Sequence, residues 1–125
     1  LDPENEIITT LGSKEGLANL ASAITAPGDL ALVPNPTYPI HAYGFMIAGG
    51  TLRHIPSLHN GSFDPEEYMN SLSRAVAHSI PKPIAIVISF PSNPTAQLCD
   101  LDFYKELVKF AKKHCIWIYC RCSNY

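Results

Sequence analysis

Charge is scarce in this chain. Asp, Glu, Lys and Arg make up 16% of its 125 residues, where an average soluble domain carries roughly a quarter. Nine basic residues against eleven acidic ones leave a net charge of −2. No stretch concentrates Lys or Arg, so the basic footprint that a nucleic-acid partner needs is missing and no such partner is expected. Nor is there an apolar run near the roughly 20 residues of a membrane span. A charged-then-apolar leader of the secretory type is also lacking. The expectation is a cytoplasmic protein without a membrane segment.

Cysteine is badly placed for a disulfide framework. The four cysteines, Cys99, Cys115, Cys120 and Cys122, crowd into the last quarter, whereas small secreted domains spread theirs along the chain. Cys120-x-Cys122 lies near His114, but it lacks the wider gap and the second ligand pair of a zinc site. Reduced thiols and no metal are expected.

What the chain does have is proline, eleven in all, and the prolines are placed after apolar runs. Ile84-Ala85-Ile86-Val87-Ile88 reads as a strand buried on both faces, as in a parallel sheet. Ser89-Phe90-Pro91-Ser92-Asn93-Pro94-Thr95-Ala96 follows at once. Pro91 and Pro94 remove backbone donors, fix φ and restrict the residues before them. Asn93 is thereby held in a rigid loop at the carboxyl end of a strand, the edge where open α/β sheets bind ligands. Ordinary Asn-Pro turn chemistry is the competing reading. A second unit has the same build: Leu30-Ala31-Leu32-Val33, then Pro34-Asn35-Pro36-Thr37-Tyr38-Pro39. Two such loops are expected to face one site.

The remaining pattern alternates. Short strands are expected at Ile7–Leu11, Leu30–Val33, Thr51–Ile55, Ile84–Ser89 and Ile116–Tyr119. Helices are expected at Lys14–Ala26, Pro39–Gly49, Asp64–Ser79 and from Asp100 to His114. Asp64 with Pro65 and Glu67 is a helix-start signature. In the last helix Leu101, Tyr104, Leu107, Val108 and Ala111 should share a face, and Lys112, Lys113 and His114 suit its negative end. Alternating strands and helices predict an α/β fold: a mostly parallel sheet flanked by helices on both faces.

Three segments could carry chemistry. Gly12-Ser13-Lys14-Glu15-Gly16 joins a strand to a helix, and a helix start offers unpaired N–H groups and positive potential to a phosphate. The alternative is that Ser13 is only an N-cap. Tyr38, locked between Thr37 and Pro39, can stack on a flat ring or simply pack. His41 is expected on a polar-facing side of the following helix. A phosphate cradle, an aromatic plate and a fixed amide suit a planar, phosphorylated, hydrogen-bonding cofactor such as pyridoxal 5′-phosphate.

These segments, Leu11-Gly12-Ser13-Lys14-Glu15-Gly16, Pro34-Asn35-Pro36-Thr37-Tyr38-Pro39-Ile40-His41 and Phe90-Pro91-Ser92-Asn93-Pro94-Thr95-Ala96, resemble those of the class I/II, fold-type-I, pyridoxal-phosphate-dependent aminotransferases. The likeness is to the large domain, and within the family to its alanine and LL-diaminopimelate aminotransferase branch. It implies that residues 1–125 are an incomplete cofactor-binding domain whose C-terminal partner domain lies elsewhere. It implies that Ser13 and the Lys14 backbone hold the cofactor phosphate, that Tyr38 stacks on the ring, and that Asn93 donates to the ring's phenolic oxygen. It also implies amino acid and 2-oxo acid substrates and a homodimer.

The likeness is incomplete. None of Lys14, Lys82, Lys105, Lys109, Lys112 or Lys113 sits in the context of the family's Schiff-base lysine, so no catalytic residue is assigned. The carboxylate-binding arginine belongs to the other domain. The family places Asp-x-Ala-Tyr, or a close variant, where this chain reads Arg121-Cys122-Ser123-Asn124, with Tyr125 one residue late. Arg121 thus falls where an acid should pair with the ring nitrogen. One codon choice for Tyr119–Tyr125 reads Ile-Ala-Asp-Val-Ala-Ile one base later, and the coding DNA decides whether a frameshift wrote this tail. Two other readings stay open: a non-catalytic remnant with at most weak phosphate-cofactor binding, and another α/β nucleotide or phosphate-ligand binding module.

Overall fold

The computed structural model describes residues 1–122; Ser123, Asn124 and Tyr125, and with them the register of the expected tyrosine, lie outside the described residues. Helix α1 (Ser13–Ile24) leads to β1 (Leu30–Asn35), α2 (Pro39–Ile47), β2 (Thr51–Pro56), α3 (Pro65–Ala77), β3 (Pro83–Phe90), α4 (Leu101–His114) and β4 (Trp117–Cys122). The strands pair in the order β2-β1-β3-β4, all parallel.

Chirality explains where the helices go. Crossovers between parallel strands are right-handed. The chain steps from β1 to β2 in one direction, then returns past β1 to β3 and on to β4. So α2 covers one face of the sheet, and α3 and α4 cover the other. The two cores reflect this. Leu17, Ala21 and Phe45 from α1 and α2 pack on Ala31, Val33, Ala85 and Val87. Tyr68, Leu72, Phe103 and Leu107 from α3 and α4 pack on Leu32, Ile55, Ile86 and Ile88. Neighbouring residues of β1 and β3 feed opposite cores, which is why these central strands read as continuous apolar runs.

The local signals for the helices hold. Asp64 caps α3 by accepting from Glu67 N–H at 3.1 Å, with Pro65 in the first turn. Asp100 caps α4 by accepting from Phe103 N–H at 2.8 Å. The face of α4 is corrected, however: Phe103, Leu107 and Ala111 are buried, while Leu101 and Val108 are exposed. Phe103 takes the central place because it closes on Phe63, Tyr68, Phe90 and Tyr104 at ring-centroid distances of 5.2 to 6.0 Å.

The strand expected at Ile7–Leu11 does not form. Those residues are irregular and exposed, and no described strand pairs with them. An apolar run becomes a strand only with a ladder partner. Here Leu11 N–H goes instead to the carboxylate of Glu15, and Gly12, at φ +90°, turns the chain directly into α1.

Candidate functional site at the carboxyl rim of the sheet

In a parallel sheet every strand ends at the same rim. The loops after β1 and β3 and the last turns of β4 therefore share one edge. The chain leaves β1 and β3 toward opposite faces, so the crevice between them is the topological switch point where such sheets bind ligands.

The loop after β1 is built by Pro36, Thr37 and Pro39. Tyr38 is the N-cap residue of α2, with extended backbone (φ −71°, ψ 134°), and Pro39 starts the helix. Thr37 Oγ1 lies 2.8 Å from His41 Nδ1, which ties the loop to the first turn. His41 is not polar-facing as expected. It is completely buried, and its Nε2 has no hydrogen-bond partner among the described residues. Burial first, and the positive charge of Arg121 second, lower its pKa from 6.5 to about 4, so the ring is neutral at pH 7. The His41 and Tyr38 rings meet edge-on, with centroids 6.0 Å apart.

The start of α1 comes to the same place. Gly12, not Ser13, is the N-cap residue, and no side chain caps the helix. The first-turn N–H groups are thereby left for solvent or a ligand. Ser13 is the first helical residue and is exposed, so the reading of Ser13 as a mere N-cap does not hold. Lys14 Nζ stands 5.5 Å from the centroid of the Tyr38 ring. Arg121 Cζ stands 5.1 Å from the same centroid. Arg121 reaches it because it lies on the strand face that also carries Tyr119, opposite Ser89 in the β3–β4 register.

Asn93 sits on the loop after β3 and is exposed. A small cavity of about 20 Å³ is bordered by Asn93 together with Pro36 and Thr37, so the two proline-rich loops do adjoin. Side chains hold the Asn93 loop. Ser92 and Gln97 exchange bonds, Ser92 N–H to Gln97 O at 2.9 Å and Gln97 N–H to Ser92 Oγ at 2.9 Å. Ser92 Oγ also meets Thr95 Oγ1, and Gln97 Oε1 accepts from Phe63 N–H at 2.9 Å. Gln97 gave no signal in the sequence, because its partner Phe63 lies 34 positions earlier. The structure thus brings Lys14 and Tyr38 together and sets Asn93 on the adjoining loop. The residue that sequence reasoning assigned only as a mismatch, Arg121, is in contact with Tyr38.

A family model described as aminotransferase class I and II matches residues 1–120. The chain belongs to that family. It is 59% identical over 115 residues to AatC of Rhizobium meliloti, a match covering 91% of this chain and 27% of that protein. It is 47% identical over 114 residues to the glutamate-pyruvate aminotransferase AlaC of Escherichia coli, covering 91% of this chain and 26% of that one. Apo-BacF from Bacillus subtilis superposes with a TM-score of 0.82 at 32% identity, covering 96% of this chain and 31% of BacF. This aminotransferase chain therefore spans between a quarter and a third of the length of the relatives it matches. Its parallel sheet with flanking helices is that of the family's large domain.

Proposed function

We propose that this chain is the cofactor-binding part of a cytoplasmic, homodimeric aminotransferase that moves an amino group between an amino acid and a 2-oxo acid. The observation that carries the reading is the meeting of Lys14 and Tyr38 at the switch-point rim, beside the loop that holds Asn93. The family membership supplies the reaction class.

The group to be held is pyridoxal 5′-phosphate, and the residues match its two ends unequally. The phosphate end fits. The uncapped start of α1 offers N–H groups and positive potential, Ser13 adds a hydroxyl, and Lys14 adds a charge. Neither Lys14 nor Arg121 forms an ion pair among the described residues, so both charges are available to an anion. Asn93, exposed on a loop pinned by Ser92 and Gln97, can donate its amide to a ring oxygen. The ring end does not fit while Arg121 stays in place. Its guanidinium lies over the Tyr38 ring, 5.1 Å from the centroid, where it competes with a ring stacking on the same face, and a cation near a pyridine nitrogen opposes its protonation. Arg121 favours the second reading for the chain in this form: a phosphate-cofactor segment that does not transaminate by itself.

The test has two arms. Isothermal titration with inorganic phosphate should show binding that Lys14→Ala weakens about tenfold, the loss of one charge-assisted contact of ~1.4 kcal/mol. Absorption spectra of the chain with pyridoxal phosphate, before and after borohydride, separate the two functional readings. A stable adduct on one specific lysine supports independent chemistry, and scattered or no labelling supports the non-catalytic reading. Phosphate affinity that ignores both Lys14→Ala and Ser13→Ala overturns the site.

A further inference from the structure

Two cations share one aromatic ring at this rim. Lys14 Nζ and Arg121 Cζ lie 5.5 Å and 5.1 Å from the Tyr38 centroid, and the His41 ring closes on Tyr38 edge-on at 6.0 Å. Stacked aromatic pairs place their centroids roughly 4.5–7 Å apart. A planar guanidinium at 5.1 Å therefore takes the space that a second ring would need. The seat is a favourable one, since Arg stacks on aromatic faces and is more weakly hydrated than an ammonium.

Charge acts in the same direction. The ion pairs among the described residues are Arg74–Glu67 and Lys105–Asp102, neither of which involves the rim cations. Glu15, one residue beyond Lys14, turns its carboxylate to Leu11 N–H. The buried, unpartnered Nε2 of His41 offers the rim no negative charge. Lys14 and Arg121 are thus left without a carboxylate among the described residues. An arrangement of this kind attracts a phosphate dianion and repels a ring that carries a proton.

We propose that Arg121 occupies the stacking face of Tyr38, so that the chain takes a phosphate monoester by its phosphate group and turns the attached ring away. The proposal rests on the phosphate reading above and deepens it by stating the ligand preference that Arg121 sets. Arg121 acts here as a specificity determinant, favouring the anion over the aromatic body of the same ligand.

Calorimetric titration of the full chain tests this with three probes: inorganic phosphate, 4-deoxypyridoxine 5′-phosphate and 4-deoxypyridoxine. The last two carry no aldehyde and so form no lysine adducts. The unaltered chain should bind phosphate and the phosphorylated ring within about threefold of each other, and the bare ring not at all. Arg121→Ala should weaken inorganic phosphate but raise the preference for the phosphorylated ring over it to about tenfold, as the Tyr38 face opens. Tyr38→Leu in the otherwise unaltered chain gives a second reading that does not depend on how Arg121→Ala folds, and it should leave the ratio of the two ligands unchanged. A tenfold preference for the phosphorylated ring in the unaltered chain, abolished by Tyr38→Leu, overturns the proposal while leaving the phosphate reading intact. No binding of phosphate to any form overturns the phosphate reading and the proposal with it.

Discussion

Lowering the pH should cost this fold stability through a single side chain, His41. Its ring is fully buried, and among the described residues only Nδ1 has a partner, Thr37 Oγ1 at 2.8 Å. In the unfolded chain the imidazole titrates near 6.5. In the fold, burial and then Arg121 bring it down to about 4. Below pH 6.5 the unfolded chain binds a proton that the folded chain refuses, so the equilibrium moves toward unfolding as pH falls from about 6.5 to about 4. Above that window the contribution of His41 is constant. A shift of about 2.5 units (6.5 − 4) at about 1.36 kcal/mol per unit sets a ceiling of about 3 kcal/mol. Solvent screening at a site this near the rim reduces the expected figure to about 2 kcal/mol. Urea unfolding followed by circular dichroism at about pH 7 and about pH 4.5 measures it, with His41→Asn as the reference. Asn still offers an amide toward Thr37 but does not titrate, and every other ionising group is common to both proteins. The unaltered chain should lose about 2 kcal/mol more than His41→Asn between the two pH values. Parallel pH dependence, within about 0.5 kcal/mol, would refute the claim that His41 is held neutral by burial.

Three further outcomes are expected. Phe103→Ala, which empties the centre of the ring cluster formed with Phe63, Tyr68, Phe90 and Tyr104, should lower unfolding stability by about 4 kcal/mol; a urea midpoint shift worth less than about 1.5 kcal/mol counts against the packing described. Asp100→Ala should cost about 1 kcal/mol by removing the bond to Phe103 N–H, while Asp100→Asn should stay within a few tenths, as read from thermal melts. Gly50→Ala should cost about 2 kcal/mol, because a Cβ there would lie 2.8 Å from Thr25 Cγ2 and 3.1 Å from the Phe45 carbonyl oxygen, and backbone cannot give way as a side chain does. An unchanged melting temperature for Gly50→Ala contradicts that crowding.

Much of this protein was legible in one dimension because the signals involved are local. The apolar runs of β1 and β3 and the caps Asp64 and Asp100 each depend on residues a few positions apart, and each formed where expected, although β1 runs on through Pro34 and Asn35 into the segment expected as loop. The alternation of strands and helices fixed a parallel α/β sheet, and the three loop motifs pointed to the family. Where the sequence misled, a distant partner was decisive. Ile7–Leu11 has the composition of a strand, but strand formation requires a neighbour that lies elsewhere in space, and no described strand pairs with it. His41 reads as a polar residue near a helix start, and only the packing of α2 on the sheet buries it. Arg121 reads as an error in a motif, and only the position of β4 beside β3 brings its guanidinium to Tyr38, 83 positions earlier in the chain (121 − 38). Periodicity thus determined most of the elements, and the resemblance of three loop motifs pointed to the family they build. Strand order and burial, which depend on contacts between residues far apart in sequence, decided which side chains stand over the Tyr38 ring.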